Sequence, residues 1–493
     1  MRITPHRRQF LIARSAHRAP DWTSVEIGSG LVLSHCRALP VTIVQRGSGR
    51  AVVIGLAIPD QGEAEADQLV ATAEQVTPDL YERWFGRWVL IADGEIHLDP
   101  GATLSVFYTR EGSRGPLVSS SAALVQELSG RPAEPPWAVK HRFKINWIPG
   151  PSSGFPGTSR LLPTGVLDLG LLFGGASDPA RGRQHVRSDL HDGDADTILA
   201  ELRDLFRAGV AAAARRFGSI TIPLSSGADS RTILAAAIAA GLRPRTFTFH
   251  KTIACHGVDI APGDARLPRK MSRLFGFRHS YIRPRRRRKD RDLALHHHTA
   301  GRFDDVDRHY IANRQWDQAP FEGVVIRGGM FDMGKRGKLE KWLAPAYQEG
   351  TADFVTALLE RSRASRHYDD CRPLRAALEQ WIQWTDIAPL PGVDLIDRFQ
   401  LDQRIGCWQG DIEQALDLVQ QERFHLANNA RVISLLLSLP IELRRSGDYK
   451  IRIIESLTPG LAQFPINPPK SDNDKLLERA RSRLRRLVAW GRR

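Results

Sequence analysis

The run Ser219-Ile220-Thr221-Ile222-Pro223-Leu224 has the short, nearly continuous apolar character of a strand buried on both faces. Small and polar residues follow, Ser225-Ser226-Gly227-Ala228-Asp229-Ser230, and Arg231 to Ala240 then reads as a helix closed by Gly241. Thr246-Phe247-Thr248-Phe249 supplies a second strand. Strands joined through a helix call for a crossover, hence a parallel α/β sheet. Ligands of such sheets bind at the carboxyl ends of the strands, where this loop falls.

A loop of small residues between strand and helix lets successive N–H groups turn into one concavity, and the positive end of the helix dipole completes an anion site. Ser225, Ser226 and Ser230 add hydroxyls, and Gly227 permits close approach of a phosphate. Asp229 would repel that phosphate unless a divalent cation lay between them, and Mg²⁺ on phosphates commonly takes one or two carboxylates. The plainer alternative is a polar helix terminus at which Asp229 and Ser230 only act as caps.

The remaining chain sets the context. At 493 residues two domains are expected. Up to about residue 180, short apolar runs such as Leu31–Leu33, Val52–Ile54, Trp88–Ile91 and Leu104–Tyr108 alternate with Gly, Pro and Asp turns, which predicts a β-rich first domain. The Gly-, Asp- and Arg-rich stretch Phe173–Asp194 reads as a linker, and Ile198, Leu202, Leu205, Phe206 and Val210 then recur at helical spacing with Asp196 as N-cap. No apolar run approaches the roughly 20 residues needed to span a bilayer, and Met1–Phe10 lacks the apolar core of a secretory signal. Cys36, Cys255, Cys371 and Cys407 lie far apart, which fits a reducing cytoplasm better than a disulfide framework or a zinc site. The triplet His296-His297-His298 invites a metal, but adjacent side chains diverge on any regular element. The net charge of +15 is concentrated partly in Arg283–Arg291 and in a C-terminal stretch, 471–493, read as a basic helix or tail. Such clusters suit contact with an anionic surface, and equally a solvated loop and terminal helix.

The string Pro-Leu-Ser-Ser-Gly-Ala-Asp-Ser-Arg at 223–231 resembles the SGGxDS pyrophosphate loop of the asparagine synthetase family and its PP-loop relatives, with Ser226 in place of one glycine. Further segments resemble the family in order. A helix from Asp264 to Gly276 leads to His279, with Pro268 expected in its first turn. Val324–Arg327 runs into the loop Gly328-Gly329-Met330-Phe331-Asp332. Val432–Pro440, Lys450-Ile451-Arg452, Pro459 and Pro465-Ile466-Asn467 follow, with Asn429 where the family usually has aspartate. In the first domain Phe85-Gly86-Arg87-Trp88, Asp99-Pro100-Gly101, Phe107-Tyr108, Ser119-Ser120 and Arg160–Pro163 are similar to class II glutamine amidotransferases.

The resemblance implies an Ntn-hydrolase-like β-rich sandwich over 1–180 and a PP-loop parallel-sheet α/β domain with a helical C-terminal part over 195–470. It places ATP on Leu224, Ser225, Ser226, Gly227, Asp229 and Ser230, with Phe249 and Gly328 alongside, and Mg²⁺ on Asp229 and Asp332. Lys450 and Asp332 are the implied catalytic residues, Lys450 to stabilise charge developing at the reacting carbonyl and phosphate. The implied activity is an adenylating amide ligase acting on a small-molecule or peptide carboxylate and an amine. Two departures narrow it. The family's N-terminal nucleophilic cysteine is absent, since Arg2 follows Met1 and Cys36 is the nearest thiol, so no glutaminase is expected. The family's glutamate after the first loop glycine is replaced by Gly329, which weakens the case for asparagine formation itself. The alternatives are a degenerate nucleotide-binding scaffold and a PP-loop enzyme acting on RNA, the latter disfavoured by the amidotransferase-like first domain.

Overall fold

The computed structural model describes residues 6–469 apart from 48, 61–64, 133–134, 136–143, 250–261, 286–287, 304–306, 321 and 349–353. Arg2, Cys255 and the basic stretch 471–493 lie outside the described residues. Among those described, no helix is long and apolar enough to cross a membrane.

The first half is built from β1 (Phe10–Ala13), β2 (Trp22–Gly28), β3 (Leu31–Cys36), β4 (Val41–Arg46), β5 (Gly49–Pro59), β6 (Trp84–Ala92), β7 (Glu95–Leu98), β8 (Val106–Thr109), β9 (Leu117–Ser119), β10 (Thr158–Leu161), β11 (Gly165–Asp168) and β12 (Ala180–Gly182). They form two antiparallel sheets of six strands, ordered β10-β8-β9-β1-β3-β2 and β12-β11-β7-β6-β5-β4. Phe10, Ile12 and Leu33 of one sheet pack with Ile54, Val89 and Leu98 of the other, so the sheets face each other across an apolar layer.

The second half carries a five-stranded parallel sheet: β13 (Ile220–Pro223), β14 (Arg245–Phe249), β15 (Arg278–Ile282), β16 (Val324–Arg327) and β17 (Glu422–His425), in the order β15-β14-β13-β16-β17. The chain builds outward from β13 to β15, then returns to the other side of β13. The strand order therefore reverses between β13 and β16, and the loops after these two strands part there. Pro223, the last residue of β13, offers no N–H, and the bonding to β14 continues at Leu224, whose N–H donates to Phe247 O at 2.8 Å.

Several local expectations shift. The residues read as a linker contain β12, the edge strand of the second antiparallel sheet, because Val166 and Leu167 pair with Arg181 and Ala180. The helix Ala195–Phe217 is capped by Asp194, whose carboxylate accepts from Thr197 N–H, and not by Asp196. Pro268 sits inside the helix Pro262–Phe275 instead of in its first turn. Arg291, one of the residues read as a solvated basic run, is buried and bonded through both terminal nitrogens to Asp317 at 2.8 Å.

The two halves share a core. Leu56, Ile58 and Phe85 belong to the same apolar cluster as Leu205, Phe206, Val324 and Leu426. Buried polar groups join them as well: the Arg87 guanidinium grips Asp417 at 2.7 and 2.9 Å, and Asn428 donates to Asp99 at 2.8 Å while accepting from Gly101 N–H at 2.9 Å.

Candidate functional site

The loop after β13 folds on itself through its serines. The Ser225 N–H donates to Ser230 Oγ at 3.1 Å, the two hydroxyls lie 3.1 Å apart, and Gly227 N–H donates to Ser225 Oγ at 3.1 Å. Ser226 N–H donates to a carboxylate oxygen of Asp264 at 2.5 Å. A Cβ at Gly227 would lie 3.2 Å from Ser225 Oγ, so glycine keeps the bend tight. Gly227 is also the N-cap of the helix Ala228–Ala239 and offers no side chain to its first-turn amides. Ser226 Oγ is buried without a hydrogen-bond partner. First-turn amides without a side-chain cap suit an anion such as a phosphate.

Arg231 anchors the loop from below. Buried near the start of the helix, its guanidinium donates to the carbonyls of Ser226 at 3.0 Å, Phe464 at 2.5 Å and Pro465 at 3.1 Å, while Asn467 N–H donates back to Ser226 O at 3.1 Å. The C-terminal segment around Pro465-Ile466-Asn467 thus clasps the loop. A lone arginine at the head of an Ala-rich helix was the signal for this role, and sequence reasoning read it only as the start of that helix and the end of the 223–231 string.

Asp229 projects from the first turn of this helix and meets residues from two other segments. The Lys450 ammonium, from the helix Tyr449–Leu457, donates directly to Asp229 Oδ1. Lys335, just past the loop after β16, has Nζ 3.5 Å from Asp229 Oδ1 and 3.5 Å from Asp332 Oδ1. Lys335 was missed in the sequence, although it stands three residues beyond Asp332. Burial lowers the Lys450 pKa to about 8, against the pull of Asp229 and with the repulsion of Lys335. For Lys335 burial also opposes the charge, but Asp229 and Asp332 prevail and raise its pKa. Two carboxylates turned toward a common cation form a donor set that fits Mg²⁺ completing its shell with phosphate and water, after displacement of the lysine contacts.

Gly328 is required by proximity: a Cβ there would lie 3.0 Å from Asp229 Cβ and 3.2 Å from its carbonyl carbon. At Gly329 a Cβ would lie 2.8 Å from His425 Cε1 and 2.9 Å from Gln409 Oε1. His425 fills the place of the side chain that the resemblance expects here. Its Nδ1 accepts from Gly329 N–H at 3.1 Å, which leaves the proton on Nε2 to donate to Glu413 at 3.0 Å. Burial lowers the His425 pKa despite the opposing pull of Glu413.

Neither family models nor curated proteins match the chain.

From Asp229, Asp332 and Lys335 a cleft of about 730 Å³ opens between Trp342, Gln400, Arg404, Arg445 and Lys144. Gln400 and Arg404 project from a π-helical stretch, Gln400–Gln409. Arg445 is held by Glu340 and Glu442, whereas Arg404 lies over the Trp408 ring and Lys144 over Trp342. Of the residues singled out from sequence, Leu224 to Ser230, Gly328, Asp332 and Lys450 gather at the switch point. Phe249 does not join them on this wall: its ring stacks on Tyr310 at 4.6 Å and packs against Trp316. The backbone of β14 contributes instead, since Thr248 Oγ1 donates to Leu224 O at 2.6 Å. In the first half, Cys36 is buried at the end of β3.

Proposed function

We propose that the chain is an ATP-dependent amide-forming ligase that adenylates a carboxylate, built as asparagine synthetases are from an Ntn-hydrolase-like sandwich without its own glutaminase and a PP-loop domain. The observation that carries this reading is the meeting of Asp229, Asp332, Lys335 and Lys450, from three separated segments, where the parallel sheet reverses its strand order. ATP is a substrate here, its phosphates lying along Ser225, Ser226, Gly227 and Ser230 and the first-turn amides. Mg²⁺ on Asp229 and Asp332 would offset phosphate charge as pyrophosphate leaves. A carboxylate oxygen of the second substrate attacks the α-phosphorus, the bond to the β-phosphate oxygen breaks, and an acyl-adenylate remains. An amine then attacks its carbonyl carbon, AMP leaves, and the amine gives up a proton. Lys450 and Lys335 place positive charge beside both transition states. The reading sets this reaction in the cytoplasm, where ATP is available.

The loop itself favours a second reading. The N–H groups of Ser225, Ser226 and Gly227 are already engaged within the protein and Asp229 is neutralised by lysines, as suits a nucleotide-binding scaffold without turnover.

The test is Mg²⁺-dependent conversion of ATP to AMP and pyrophosphate by the full chain, across a panel of carboxylates and amines. Turnover with one pair, reduced about 10²-fold or more by Lys450→Ala and lost with Asp229→Asn, is the expected result. Tight ATP binding with no turnover across the panel would favour the scaffold. A protein that binds no ATP would overturn both readings.

A further inference from the structure

We propose that His6, Glu127 and His297 form a binding site for a zinc ion, separate from the cleft, that pins the start of the chain to its second half. The three residues come from the segment before β1, from the helix Ala122–Ser129 and from the helix Lys289–Thr299. His297 Nε2 lies 2.8 Å from Glu127 Oε1, His6 Nε2 lies 3.4 Å from Glu127 Oε2, and one donor atom of each residue falls within 4.8 Å of the others. Tetrahedral zinc with ligand bonds of 2.0–2.1 Å needs donors about 3.3 Å apart, close to the 3.4 Å between His6 and Glu127 and the 2.8 Å between His297 and Glu127. Two imidazoles and a carboxylate suit zinc, with water in the fourth position, and differ in kind from the all-oxygen pair Asp229 and Asp332.

Two observations go beyond a chance meeting of polar side chains. The His6 ring is mostly buried: Nε2 faces Glu127 Oε2 at 3.4 Å, and Nδ1 is buried without a hydrogen-bond partner. His6 is also held in place by its backbone. It adopts a left-handed φ of 57°, its N–H donates to His298 Nδ1 at 3.1 Å, and His298 is fixed through Nε2 on Gln414 O at 2.9 Å. The histidine triplet therefore divides its labour: His297 is a ligand and His298 positions His6. Beside His6, Arg7 donates to Asp417 O at 2.8 Å and Arg8 to Gln421 O at 2.9 Å. Metal at His6 consequently braces the approach to β17.

The experiment is a titration of the chelator-treated, dialysed full chain with Zn²⁺ against a competing indicator, together with melting curves with and without Zn²⁺. Glu127 and His297 are partly exposed, so Glu127→Gln and His297→Ala should fold. One equivalent of zinc is expected, with affinity reduced at least about tenfold by either substitution and unchanged by His296→Ala. Zinc should raise the Tm of the wild type and not that of the two variants. Equal affinity in the wild type and both variants, or no zinc bound at micromolar concentration, overturns the proposal.

Discussion

Lys450 is a fully buried ammonium in contact with a carboxylate, and its pKa of about 8, lowered from 10.5 first of all by burial, has consequences on both sides of neutrality. Below pH 8 the group is protonated in the folded and unfolded chain alike, and the folded state carries the cost of the buried charge. Between about 8 and 10.5 the folded chain has released a proton that the unfolded chain keeps, so this group's contribution to stability rises with pH across that window. Activity runs the other way, because the ligase reading needs the ammonium. The profile of kcat/KM, which reports the free enzyme, should turn down above about pH 8. A flat profile up to pH 10 would remove Lys450 from the chemistry. A second residue-scale expectation concerns position 329. Gly329→Glu, which puts a glutamate where the resemblance expects one, drives its Cβ to within 2.8 Å of His425 and 2.9 Å of Gln409. The variant should lose roughly 1–3 kcal/mol in denaturant titrations and gain no AMP production.

At the scale of elements, the helix Ala228–Ala239 and the C-terminal segment are tied together by one side chain. Arg231 donates to the carbonyls of Ser226, Leu461, Phe464 and Pro465; without it Ser226 keeps Asn467 N–H and Leu461 keeps Phe464 N–H, but the carbonyls of Phe464 and Pro465 lose their side-chain donor. Arg231→Ala should therefore cost on the order of 3 kcal/mol or more in chemical denaturation. Hydrogen exchange should quicken at residues 458–467 and in the loop after β13 together. Faster exchange in one of them alone would contradict the clasp.

Across the whole molecule the sandwich and the parallel sheet act as one body, because the apolar core runs between them and their charges are paired across the boundary. Arg87 of β6 and Asp417 are both buried, and Asp417 also takes hydrogen bonds from Gln9 at 2.8 Å and Arg423 at 2.9 Å. Arg87→Leu strips a buried carboxylate of its bidentate partner and should cost about 3–5 kcal/mol. Calorimetry of the wild type should show one cooperative transition that this substitution shifts downward. Two transitions, with only one moved, would show that the halves unfold independently.

The period and punctuation of the sequence sufficed for the β-rich first half, for the strand–loop–helix–strand run at 219–249 and for Asp229 on the first turn after the loop. These features are local: apolar runs bounded by turn residues, and small residues where backbone must bend. The order of the strands, the lysine contacts to Asp229 and the zinc ligands were decided by tertiary structure. Lys335 reaches Asp229 because the sheet brings the ends of β13 and β16 side by side, and Lys450 because its helix packs on the helix Ala228–Ala239; no spacing in the chain records either approach. His425 shows the same limit from the other direction. Gly329 read as a lost glutamate, whereas the fold has filled that space with a side chain almost a hundred residues away, carried there by β17 pairing with β16. Phe249 shows the same limit: periodicity located its strand, but which neighbours its ring would choose depended on Tyr310 and Trp316 packing beside it.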